Sequence, residues 1–149
     1  MQIKFKKLNP AIGVSMPEPA YATSGAAGID LPASLKEPLV VEPGEKILVP
    51  TGLAVDIPAG NMVGLVFVRS GLASKHGLTL ANAVGVIDSD YKGEIICAIQ
   101  NNGKEPYKIR PGDRIAQIVF MPCFQVEIAY TDELTPSARD RGGFGSTGR

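Results

Sequence analysis

The stretch MVGLVFVRSGLASKHG, residues 62 to 77, begins as an unbroken apolar run and ends as something else. Its first seven residues, Met62 to Val68, are dominated by Val, Leu and Phe and follow the turn signal PAG at 58–60. That composition and length predict a β-strand that is apolar on both faces. At Arg69 the pattern changes. Ser70 is placed to cap a short helix, Leu72 and Ala73 fill its turn, Lys75 and His76 are basic in its last turn, and Gly77 stops it. A strand feeding a short helix leaves free backbone N–H groups and a partial positive charge beside Arg69. Phosphate can sit there, although an ordinary capped turn has the same sequence.

Outward from this stretch the chain repeats the first half of the pattern and not the second. Ile3 and Phe5 alternate with Lys4 and Lys6, and KILVP (46–50), GLAVDIP (52–58), EIICAIQ (94–100) and RIAQIVFMP (114–122) are short, β-branched runs bounded by PG, PAG and NNGK turns. Seventeen glycines and twelve prolines leave few windows long enough for another helix. A sandwich or barrel of short strands is the expectation. Runs that are apolar on both faces need cover on both sides, from a neighbouring subunit or a larger internal core.

At 149 residues the chain is one domain by length. Lys plus Arg and Asp plus Glu each total 15, so no overall field favours nucleic acid or an anionic membrane. The apolar runs are shorter than a membrane helix, and the amino terminus carries no signal-peptide pattern, so a soluble, cytoplasmic protein is expected. Cys97 and Cys123 lie in apolar segments and read as buried thiols; with one histidine they make no metal cluster of usual spacing. The end of the chain, RDRGGFGSTGR from Arg139, combines four glycines, three arginines and Phe144. It has too little apolar surface to offset the entropy of ordering, so alone it reads as a mobile arm. A nucleotide could order it, through phosphate contacts from Arg and backbone amides and stacking by Phe.

Five separated motifs, AGIDL (27–31), RSGLASKHG (69–77), LANAVGVIDSDYKGEI (80–95), PGDRIAQIVF (111–120) and RDRGGFGSTG (139–148), resemble in order and spacing those of the trimeric dUTP pyrophosphatases, the dUTPases. The resemblance implies an all-β, distorted jelly-roll or β-clip sandwich at 1–138, with one short helix and a C-terminal flap at 139–149. It implies a homotrimer with active sites shared between subunits. It also implies Mg²⁺-dependent hydrolysis of dUTP to dUMP and pyrophosphate, which supplies the dTTP precursor and keeps uracil out of DNA.

Carried over residue by residue, the resemblance makes Asp88 of GVID the group that orients and deprotonates an in-line water at the α-phosphorus. Such a carboxylate is a weak base, so placement matters more than base strength. Asn82 would read uracil, a fixed amide donating to O4 and accepting from N3–H. Val86, Ile87 and Ile96 would contribute backbone contacts, Tyr91 would pack on the deoxyribose where a 2′-hydroxyl would clash, and Phe144 would stack on the base. Arg69, Ser70, Gly71, Gln117, Arg139, Gly145, Ser146 and Thr147 would hold the phosphates, Gln117 from a neighbouring subunit. Asp30 would hold the water shell of a Mg²⁺ carried mainly by the triphosphate. Asp90 is expected only to shape the bend of a substrate-holding hairpin over 85–94.

Two positions depart from the family pattern: Asp140 stands where glycine is usual, and Val68 where proline often precedes the Arg-Ser. A dCTP deaminase, similar in motifs, would need a glutamate on the strand after the hairpin. This chain has Ala98 there and Glu94 too early. A non-enzymatic jelly-roll module would have no use for Asp88, Arg69, Asn82, Tyr91 and the Arg-Phe tail together.

Overall fold

The computed structural model describes residues 2–58, 60–138 and 140–143. In chain order the strands are β1 (Lys4–Lys7), β2 (Ile29–Pro32), β3 (Leu39–Val41), β4 (Lys46–Pro50), β5 (Leu53–Asp56) and β6 (Met62–Val68). The helix α1 (Ser70–His76) follows, then β7 (Leu78–Leu80), β8 (Gly85–Ile87), β9 (Ile96–Asn101), β10 (Tyr107–Ile109) and β11 (Arg114–Pro122). The all-β expectation with one short helix is met. The strands form a four-stranded sheet in the order β2-β11-β6-β8, a three-stranded sheet β4-β9-β7, and two pairs, β1-β5 and β3-β10. Every one of these pairings is antiparallel. Among the described residues no helix is long and apolar enough to cross a membrane.

Strand alternation decides what goes inside. Leu31, Val66, Ala116 and Ile118 point inward from the four-stranded sheet, and Val49, Leu78, Leu80, Cys97 and Ile99 from the three-stranded one, into a single cluster. Fully burying an isoleucine such as Ile118 contributes roughly 1.5–3 kcal/mol. Burial also pushes the Cys97 thiol up to about 12, which keeps it protonated and unreactive. Both cysteines are free. Cys123, expected to be buried too, is only half-buried, because the chain leaves the sheet at Pro122.

Two further expectations are corrected. Arg69, not Ser70, is the N-cap of α1, and no side-chain hydrogen bond caps the helix; Ser70 is already its first residue. The stretch 85–94 is not a paired hairpin either. β8 pairs with β6, whereas β9 pairs with β4 and β7, so residues 88 to 95 cross from one sheet to another. The crossing follows from Ile95, which is buried and bonds through its backbone to Leu53 and Thr51. That anchors the next strand to β4.

The C-terminal end of α1 is seated on the turn at 101–104. Gly77 adopts a left-handed φ of 70°, and its carbonyl accepts from Asn102 N–H at 2.9 Å. The buried Asn101 amide holds that turn, donating to the Val41 and Glu105 carbonyls at 2.9 Å each and accepting from Gly103 N–H at 2.8 Å.

Candidate active site

In an antiparallel ladder, residues opposite one another share a face. Asp30 of β2 lies opposite Gln117 of β11, and Gln117 lies opposite Phe67 of β6. Arg69 follows two residues later, so all four rise from the outward face of the sheet. They line a cleft of about 680 Å³, whose walls also include Gly28, Ser70, Gly71, Lys75, His76 and Val119, a size suited to a small ligand. The Asp30 side chain is 13% exposed, and its two oxygens are divided between arginines. Arg69 Nε approaches Oδ1 at 3.0 Å, and Arg114 Nη1 approaches Oδ2 at 3.1 Å. The amides of Ser70 and Gly71 belong to the first helical turn and have no intrahelical acceptor. A Cβ added at Gly71 would meet nothing within 4 Å, so the backbone there is open to a ligand. The sequence-predicted set Asp30, Arg69, Ser70, Gly71 and Gln117 is thus brought together within one chain; Gln117, expected to come from a neighbouring subunit, instead shares the cleft of Arg69 because β11 pairs directly with β6.

Asp88 is not among them. It lines a second cleft with Val86, Ser89 and Asp90 against Val63, Leu65 and Cys123. The two clefts have no lining residue in common. The segment that carries Asp88 is braced on both sides. Tyr91 N–H donates to the Asp88 carbonyl at 3.2 Å, Lys92 Nζ donates to the Ser89 carbonyl and to Asp56, each at 2.7 Å, and the Glu94 carboxylate accepts from Gly52 N–H at 2.7 Å. Asp90 occupies the third place of the turn that the Tyr91–Asp88 bond closes. The Tyr91 hydroxyl donates to the Glu94 carbonyl at 2.8 Å, and its ring lies so close over Gly93 that a Cβ there would sit 2.6 Å from the hydroxyl oxygen.

The remaining base and sugar candidates are spread out. Asn82 is exposed in a turn closed by Ala83 N–H to the Leu80 carbonyl at 2.9 Å, with Ala83 held at a positive φ of 61°. For a non-glycine residue such a backbone costs roughly 1–2 kcal/mol. Ile87 packs partly on the core, while Ile96 is half-exposed on the outer face of β9. Arg139, Phe144, Gly145, Ser146 and Thr147 lie outside the described residues. Asp140, where the family pattern has glycine, adopts a φ of 41°, the left-handed region that aspartate tolerates better than most residues.

Sequence reasoning passed over Gly28 and Lys75. Lys75 read as an ordinary last-turn charge. Gly28 carried a usable signal, a glycine immediately before a strand, where close approach of another group is one of the few reasons for it. A Cβ built at Gly28 would sit 2.5 Å from Gln117 Oε1 and 3.1 Å from Gln117 Cβ. Gly28→Ala is therefore expected to swing the Gln117 carboxamide out of the cleft. If Gln117 holds a phosphate as the motif resemblance implies, nucleotide binding measured by calorimetry should weaken roughly tenfold, the worth of about one good hydrogen bond, with the melting temperature nearly unchanged.

The dUTPase family model matches residues 15–148. The chain belongs to the dUTPase family. The deoxyuridine 5′-triphosphate nucleotidohydrolase of Desulfitobacterium hafniense is 57% identical over 130 residues, covering 87% of this chain and 86% of that protein. That of Alcanivorax borkumensis is 44% identical over 149 residues, covering 100% of this chain and 99% of that protein. Among solved structures, the dUTPase of Staphylococcus bacteriophage 80alpha with dUPNHPP superposes with a TM-score of 0.87 at 30% identity, covering 99% of each chain. A mutant dUTPase from phage phi11 of S. aureus, described for its coordination of a structural Mg(II) ion, superposes with a TM-score of 0.77 at 28% identity, covering 89% of this chain and 98% of that one. The distorted jelly-roll architecture is therefore that of the family.

Proposed function

We propose that the protein hydrolyses dUTP to dUMP and pyrophosphate at sites assembled from neighbouring copies of the chain in a homotrimer. Family membership supports the reaction. The single observation that supports the shared site is the separation of the phosphate cleft from the cleft holding Asp88. A triphosphate seated on Arg69, Ser70, Gly71 and Gln117 of one copy meets Asp88, Asn82 and Tyr91 of another.

In this reading Asp88 orients a water in line with the bond to the departing pyrophosphate and accepts its proton as the new O–P bond forms and the α–β bridging bond breaks. Arg69 engages Asp30 through Nε, which leaves its Nη nitrogens for phosphate oxygens. Gln117, Lys75 and the first-turn amides add further donors to the charge that develops. The arm from Arg139, with Phe144, Gly145, Ser146 and Thr147, closes over the nucleotide.

Among the described residues no three His, Cys, Asp or Glu side chains converge to hold a metal ion. Asp30, the one candidate, already faces two guanidinium groups. Such a donor set suits a magnesium ion that arrives on the triphosphate with its waters and meets Asp30 only through one of them. When bound, magnesium neutralises charge on the phosphate oxygens. Deamination finds no support here: Glu94 is engaged with Gly52 N–H, and position 98 is an alanine.

Mixing tests the shared site. Chains carrying Asp88→Asn and chains carrying Arg69→Gln, each inactive alone, are unfolded together and refolded in equal amounts. If each site takes Asp88 and Arg69 from different copies, random trimers hold about one intact site in four, and about a quarter of the wild-type turnover returns. If both residues belong to the same copy, every site keeps a defect and none returns.

A further inference from the structure

Arg114 entered neither the sequence expectations nor the proposed mechanism, yet its position is built by an irregularity in the sheet. It stands three positions before Gln117, an odd offset, so in a regular strand its side chain would leave the opposite face. The ladder between β11 and β2 breaks at this point. Arg114 lies opposite Pro32 and Ala116 opposite Leu31, so Ile115 is an extra residue, a β-bulge. The bulge restores Arg114 to the Asp30 side, which is the use of bulges beside active sites, to re-aim one side chain. The strand start is fixed as well. Asp113 closes the preceding turn through Arg110 N–H at 2.7 Å, and Ala33 N–H donates to the Asp113 carbonyl at 2.7 Å.

The result is one carboxylate between two guanidinium groups. Asp30, mostly buried, accepts a hydrogen bond from Arg114 Nη1 at Oδ2 and forms an ion pair with Arg69 Nε at Oδ1. With Arg69 alone, the carboxylate could rotate or draw the guanidinium flat against itself. With Oδ2 engaged by Arg114, the carboxylate presents Oδ1 to Arg69, whose Nε lies 3.0 Å from it. Arg114 is itself half-exposed. It has little to contribute to the core, and a lone exposed ion pair contributes little stability. A bulge that serves to form such a pair is better explained by what the pair orients.

We infer that Arg114 is a positioning residue for the triphosphate site, acting through Asp30 to set the direction of the Arg69 guanidinium. The inference rests on Arg69 as a phosphate ligand.

The test uses the full-length protein and two probes, the non-hydrolysable analogue dUpNHpp and deoxyuridine, which has no phosphate. Arg114→Gln should weaken dUpNHpp binding roughly tenfold, the worth of about one charge-assisted hydrogen bond, and leave deoxyuridine binding within twofold. Arg114→Lys, which can still reach one Asp30 oxygen, should recover part of the loss. Asp30→Asn should weaken dUpNHpp at least as much as Arg114→Gln, and the double variant should be no weaker than Asp30→Asn alone. Independent losses that multiply in the double variant would make Arg114 a direct phosphate ligand and overturn the inference, as would equal losses for both probes. Unchanged dUpNHpp binding in Arg114→Gln, with Arg69→Gln weakened, overturns the inference alone. Unchanged binding in Arg69→Gln overturns the phosphate reading and the inference with it.

Discussion

Asp88→Asn is expected to lower the turnover of dUTP by about 10³-fold, within the range that a positioned general base contributes, while the affinity for dUpNHpp stays within a few fold. The substitution keeps the size of the side chain and removes the charge that, in the proposed mechanism, accepts a proton from water. Asp88 is exposed, and its backbone carbonyl, not its side chain, closes the turn with Tyr91 N–H. Lys92, Tyr91 and Glu94 brace the segment independently. The melting temperature should therefore not move. Single-turnover rates separate the chemical step from product release, and calorimetry with the analogue gives the affinity. A variant that retains turnover would remove Asp88 from its role. One that loses analogue binding in proportion to rate would make Asp88 a binding residue. Asp90→Asn provides the contrast: it lies in the same cleft and the same turn, and should change turnover less than about fivefold, as expected of a residue outside the proton transfer.

The parts of this fold that were legible in the sequence were long, periodic and bounded by turn residues. KILVP, MVGLVFV and RIAQIVFMP match β4, β6 and β11 end to end. Three-residue strands such as Leu39–Val41 and Tyr107–Ile109 are too short to display a period, and they form because distant chain pairs with them. The same limit explains the misjudged hairpin. Proximity in sequence suggested that residues 85–87 pair with the run after them, but the buried Ile95 commits that run to β4. At the site, the motifs named the candidate residues, and the fold gathers Asp30, Arg69, Ser70, Gly71 and Gln117 around one cleft of a single chain, Gln117 included although it was expected from a neighbouring subunit. What no local pattern could contain was the arrangement around Asp30. One of its arginines is 84 residues away and depends on a bulge that exists only once β11 is laid against β2. Gly28 was likewise visible as a glycine and silent about what lay over it.

The segment after β11 leads to the second large effect. FQVEIAY, residues 124 to 130, alternates apolar and other residues as a half-buried strand does. Its apolar positions are nevertheless almost wholly exposed: Phe124 91%, Val126 76%, Ile128 74% and Tyr130 97%. Among the described residues it pairs with no strand of its own chain. Four large apolar side chains at alternating positions, each worth about 1.5–3 kcal/mol if buried, need a surface. In the proposed trimer a neighbouring copy supplies it, and the segment carries the arm from Arg139 toward that neighbour's cleft. The double substitution Val126→Asp, Ile128→Asp places two carboxylates in that contact. Desolvating them unpaired is costlier than leaving the segment loose. Sedimentation should then show a smaller particle, or a trimer that dissociates on dilution. Turnover should fall about 100-fold or more, because the phosphate cleft loses its arm and, on dissociation, the partner's Asp88 as well. The core should be untouched, with the melt of the isolated chain still cooperative. Val14→Asp is the control, since Val14 is 87% exposed but stands alone in a loop; it should alter neither assembly nor rate. If the double variant stays trimeric and fully active, the segment contributes nothing to the contact. If it stays trimeric but slow, the segment serves only to deliver the arm, and the trimer is held by other surfaces, among them the exposed Leu48 and Ile96 on the outer face of the β4-β9-β7 sheet.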